Sequence, residues 1–122
     1  MAFIAGRVND VSEPVIALQL VGGAAGDAEV ECVVDTGFTG ALVLPRAVVD
    51  QLGLPIVTHE EFRMVGGVRD SADIVLAQVH WLGEVRRVDV IVKEAYLVGA
   101  ALLAGARLTV DYAAGTVLIE QT

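Results

Sequence analysis

The sequence predicts a small, closed, mostly β domain with one or two short helices, and three observations carry that expectation. Apolar residues make up 55% of the chain but fall in short runs rich in valine and isoleucine, the length of strands and not of core helices. Thirteen glycines punctuate those runs where tight turns would be needed. Helix start and stop signals occur clearly only once, after Pro45.

Size and charge bound the function. A chain of 122 residues supports one domain, 1–122, with a single core and no room for a second. Its formal net charge of -8 argues against nucleic acid or an anionic membrane surface as partner, since both attract clustered Lys and Arg. Cys32 is the one cysteine, so no intramolecular disulfide can form, and a reduced, cytoplasmic setting is expected. No run reaches the length of a membrane-spanning helix, and Met1-Ala2-Phe3-Ile4-Ala5-Gly6 lacks a leader signature, so a soluble protein is expected.

Taken in order, residues 3–8 read as a first strand and 14–21 as a second, nearly continuous in apolar residues. Gly22 to Asp27 supply a hairpin loop into a third strand, 28–34, which holds Cys32. Residues 41–44 form a short strand, and Pro45 opens a helix carrying Ala47, Val48, Val49 and Leu52, with Gly53 as its stop. From Ile56 the pattern returns to strands, with residues 60–65 leading into Gly66-Gly67 and Val68 leading away toward Ile74, Val75 and Leu76, the pattern of a hairpin with a diglycine tip. Its outgoing arm continues through 79–81, Gly83-Glu84 turns, and 85–92 make a further strand. A short helix over 99–104 precedes two last strands, 108–111 and 116–120.

One stretch carries chemistry. The apolar run ending at Val33-Val34 stops on Asp35, and Thr36-Gly37-Phe38-Thr39-Gly40 then turn, with Gly37 and Gly40 expected to supply backbone freedom. A carboxylate at the end of a core strand is costly unless hydrogen-bonded or sharing a proton, which marks a candidate site. Asp-Thr-Gly is also ordinary turn material, and a shuffled chain of this composition would contain it in roughly one case in twenty-five.

The surroundings sharpen the signal. Val33-Val34-Asp35-Thr36-Gly37, the flap-like Met64-Val65-Gly66-Gly67-Val68 and the downstream Leu97-Val98-Gly99 with Leu102 and Leu103 together resemble the retropepsin-type aspartic proteases. The resemblance implies a small, closed, barrel-like acid-protease fold, endopeptidase activity without a cofactor or metal, and a homodimer acting on peptide or protein. It implies catalytic roles for Asp35, Thr36 and Gly37. Substrate binding would fall to Phe38, Thr39, Met64, Val65, Gly66, Gly67, Val68, Leu97, Val98 and Gly99. Two carboxylates in contact cannot both ionise, so a pair of Asp35 side chains would share one proton. Where retroviral members carry an interfacial Asp and Arg, this chain has Thr39 and Ala100, both neutral.

Other residues take plainer readings. His59 and His80 have no partner at metal-ligand spacing, Asp70 and Asp73 read as solvated edge charges, and Asp111 as a turn cap. Ser71 lacks a histidine placed for a triad. The alternative to an enzyme is a non-catalytic module of the same fold that dimerises or binds peptide.

Overall fold

The computed structural model describes residues 2–22, 26–63 and 66–122. The chain is mostly β. In order, the described elements are β1 (Phe3–Val8), β2 (Pro14–Leu20), β3 (Ala28–Val34), β4 (Leu42–Leu44), α1 (Arg46–Leu52) and β5 (Ile56–Arg63). They continue as β6 (Arg69–Trp81), β7 (Glu84–Val92), β8 (Leu97–Val98), α2 (Ala100–Leu103), β9 (Ala106–Asp111) and β10 (Thr116–Gln121). These bounds follow the apolar runs closely, because strands with one buried face need alternating apolar residues, and strands covered on both faces need continuous ones. β10 alternates, burying Val117 and Ile119, whereas β4 buries Leu42, Val43 and Leu44 together.

α1 begins one residue later than expected. Pro45 is extended (φ -72, ψ 157) and serves as N-cap, while Gly53 closes the helix in the left-handed region at φ 63. α2 is a single turn of four residues that buries Leu102.

The strands form one sheet in the order β5-β6-β7-β4-β8-β3-β2-β1-β10-β9, and an extra pairing of β2 with β6 closes the six strands from β6 to β2 into a ring. Ile16, Leu18, Leu44, Val75, Val90, Leu102 and Ile119 meet in the core that this arrangement covers. Most neighbours are antiparallel, but β3 runs parallel to β8, and β4 parallel to β7. β8 lies between β3 and β4, parallel to one and antiparallel to the other. The chain leaving β3 must therefore cross the end of β8 before it can return as β4. That crossing is the loop of residues 35–41.

The hairpin of β5 and β6 runs from Ile56 to Trp81, the extent the sequence indicated. β6 starts at Arg69, and only its residues from Ile74 onward pair with β7. Residues 69–73 pair with β5 alone, so the hairpin projects past the end of β7 as an arm. At its tip Gly66 and Gly67 both have positive φ, 88 and 79, a backbone that side chains with a Cβ rarely adopt.

Candidate active site

Asp35 is fixed by backbone before its side chain is considered. Its N–H donates to the Val98 carbonyl at 2.8 Å, and the Val33 N–H donates to the Tyr96 carbonyl at 3.0 Å, so β8 anchors the end of β3. The loop then folds onto α2. Ala100 N–H donates to the Phe38 carbonyl at 2.8 Å and Ala101 N–H to the Gly40 carbonyl at 3.1 Å, which occupies donors that a helix start leaves without internal partners. Gly99 N–H reaches the Ala41 carbonyl at 2.9 Å.

Space, and not backbone freedom, explains the glycines here. Neither Gly37 nor Gly40 has a positive φ, which corrects the expectation drawn from the sequence. A Cβ on Gly99 would lie 2.2 Å from the Gly40 carbonyl oxygen and 2.4 Å from Phe38 Cδ2. A Cβ on Gly40 would lie 2.5 Å from Phe38 Cζ. The Phe38 ring thus covers both glycines, and the Asp35 crossing packs on β8 only because they lack side chains.

Asp35 itself is half-buried, with Oδ1 accepting the Gly37 N–H at 2.9 Å. Thr36, Gly37 and Thr39 are exposed. Asp35 and Thr36 border an open groove of about 410 Å3 whose apolar wall includes Val33, Leu97, Leu108 and Val110. Glu13 and the exposed Tyr112 complete its rim. Neither was singled out in the sequence, where nothing links residues 13 and 112 to residue 35.

The structure brings together Asp35, Thr36, Gly37, Phe38, Thr39, Leu97, Val98 and Gly99. Within that set Val98 is completely buried, so its side chain serves the core and its carbonyl holds Asp35. Gly66, Gly67 and Val68 lie at the tip of the arm and do not line the groove beside Asp35, while Met64 and Val65 lie outside the described residues.

Several side chains read as solitary have partners. Asp73 Oδ2 accepts from Arg46 at 2.6 Å, and its Oδ1 lies 2.9 Å from His59 Nδ1. These contacts, that of His59 first, hold the Asp73 carboxyl below its usual range. Asp70 is bonded by Lys93 and by the Ser71 N–H at 2.8 Å, and the lysine contact foremost lowers its pKa. His80 Nε2 lies 3.1 Å from Asp27 Oδ2. Asp27 is held low first by the Gly22 N–H and then by His80. Asp70 and Asp73 are therefore paired, not merely solvated, and each histidine has a carboxylate neighbour. Asp111 caps its turn, with Oδ1 accepting from Ala114 N–H at 2.9 Å. Among the described residues no three His, Cys, Asp or Glu side chains are grouped to hold a metal ion, and no helix is long and apolar enough to cross a membrane.

No protein-family model matches the chain, and no curated protein sequence does.

Proposed function

We propose that the protein is a retropepsin-type aspartic endopeptidase, active as a homodimer in which each subunit contributes one Asp35. The observation that carries this reading is the placement of Asp35: a half-buried carboxylate at the end of a core strand, held by the Val98 carbonyl and the packing of Gly99. A loop this constrained positions a reacting group without further ordering cost. The ring of strands would then be the closed acid-protease fold, and the β5–β6 arm its flap.

The chemistry needs two such carboxylates about 3 Å apart, sharing a proton. The ionised Asp35 removes a proton from water as the water oxygen attacks the peptide carbonyl carbon. The protonated Asp35 donates to the carbonyl oxygen. When the tetrahedral intermediate collapses, the C–N bond breaks and the amine leaves carrying a proton from the dyad. One Asp-Thr-Gly per chain makes a two-fold dimer the smallest closed assembly that brings Asp35 to its copy. The open groove beside Asp35, walled by Leu108 and Val110, gives such a partner apolar surface to cover. A cytoplasmic site of action suits a chain whose one thiol has no disulfide partner.

The test is cleavage of a mixed peptide library at acidic and neutral pH, with and without a statine-type inhibitor, beside sedimentation of the same samples. Asp35→Asn keeps the shape of the side chain but cannot take the proton from water, so turnover should fall by about a hundredfold or more at unchanged melting temperature. Specific activity should fall on dilution with the dimer population. A dimer that cleaves nothing under any condition would instead support the peptide-binding or dimerisation module.

A further inference from the structure

We propose that the β5–β6 arm is a lifting element clamped to the body from both faces, by Lys93 on one side and Arg46 on the other, so that these two cations set how often it opens. The proposal does not depend on the peptidase reading, because it concerns the arm's own equilibrium.

Residues 69–73 of β6 pair with β5 and with no other strand, and β5 is the end strand of the sheet. A two-stranded ribbon projecting from a sheet is marginal in water by itself. β5 exposes nearly every residue, and Ala72 is the one buried apolar side chain of residues 69–73, so apolar burial contributes little to holding the arm down. Alternation along a strand puts Asp70 and Asp73, three positions apart, on opposite faces. Each is met there by a cation from the body.

On one face Lys93, just beyond the end of β7, bonds the Asp70 carboxylate and also donates to the Ser71 carbonyl at 3.0 Å. On the other face Arg46, the first residue of α1, donates to Asp73 Oδ2 at 2.6 Å. His59 of β5, directly across from Asp73, takes the second carboxylate oxygen at 2.9 Å and so ties both arm strands to the same clamp. The other charged groups of the arm are Glu61, Arg63 and Arg69 on the Asp73 face and Glu60 on the Asp70 face.

Exposed ion pairs contribute little to global stability, and these are no exception. Their leverage is local: opening the arm breaks few other contacts, so a small change in its attachment changes the open fraction directly. High salt weakens both clamps together.

The experiment is deuterium uptake by mass spectrometry on the whole chain, comparing wild type with Lys93→Met, Arg46→Met and the double variant. Peptides covering 57–63 and 69–73 should exchange about threefold faster in each single variant and about tenfold faster in the double one. Peptides covering β2 and β3 should keep their wild-type rates. Arg7→Met, which removes the exposed pair with Glu31 on β3, should leave the arm unchanged. Raising sodium chloride to 1 M should speed the arm in wild type and have no effect on the double variant. Unchanged arm exchange in the double variant would overturn the proposal, as would acceleration spread evenly over the chain. Because the readout is amide exchange, an absence of peptidase activity would leave this result standing.

Discussion

Around Asp35, backbone meets backbone: the loop gives the Phe38, Gly40 and Ala41 carbonyls to N–H groups at the start of α2, and a missing side chain at Gly99 lets the surfaces touch. Along residues 69–73 the body reaches the arm through side chains, Lys93 and Arg46, which bond two carboxylates and the Ser71 carbonyl. Both regions border a glycine-containing turn, yet the difference in attachment separates their behaviour. Backbone bonds over a packed core do not respond to moderate salt or pH. Ion pairs at the surface respond to both. A chain can thus hold one loop still while leaving a projecting arm adjustable.

The comparison breaks most severely at Gly99. Gly99→Ala places a methyl group within 2.2 Å of the Gly40 carbonyl oxygen, and the rigid crossing has no slack to receive it. Unfolding free energy should fall by about 3 kcal/mol, read from urea midpoints. A midpoint equal to that of wild type would show that the loop is as adaptable as the arm.

Cys32 tests the same rigidity without a mutation. It lies on β3 three residues before Asp35, and burial pushes its thiol up to about 12. Labelling by a thiol reagent near neutral pH should run about a thousandfold or more slower than for free cysteine, because it waits for global unfolding. Fast labelling would place local opening on the Asp35 side of the molecule.

Gly67→Val probes the arm. At φ 79 a β-branched residue is strained by about 1–2 kcal/mol, but an added Cβ meets no described group within 4 Å. Global stability should drop by no more than that, and turnover of a peptide substrate should drop more than tenfold. Proportional losses in the two measurements would remove the gating role.

The smallest expected effect is in titration. Asp70 and Asp73 are held below the ordinary carboxylate value of 3.8 by partners present only in the folded arm. A lowered folded-state pKa means that the stabilisation is present above 3.8 and is lost as pH falls through the folded values. Carboxyl carbon NMR should therefore give midpoints below 3.8 for both, and the Lys93–Asp70 clamp should persist unchanged from pH 5 to 7. A midpoint at or above 3.8 would mean that the corresponding clamp is not formed in solution.

Much of the fold was legible because its signals are local. The apolar runs ending at Val8, Val34, Leu44 and Val92 are strand ends in the structure, and Gly53 stops α1 as expected. The Asp35 turn was legible for the same reason. What stayed hidden depends on residues far apart in sequence. Leu97-Val98 was read as a motif, but nothing local reveals that it slides between β3 and β4, or that Gly99 is needed for contact with Phe38. Lys93 and Arg46 look like ordinary surface cations until the register of β6 puts Asp70 and Asp73 before them. Side-chain reach across a sheet has no period in sequence, so His59 and His80 also appeared solitary.

The seam that closes the ring has a consequence for how the chain is made. β2 meets β6 at Gln19↔His80 and Leu20↔Val79, and just beyond them the Val21 N–H donates to the Gln78 carbonyl at 2.8 Å, partners roughly sixty positions apart. On a ribosome adding about 5–20 residues per second, the end of β2 emerges roughly 3–12 s before the strand that will cover it. During that interval the backbone of Leu20 and Val21 presents an unpaired edge beside apolar side chains, open to the same edge of another nascent chain. Refolding from denaturant should accordingly lose yield as protein concentration rises, and slowing the addition of denatured protein should recover it.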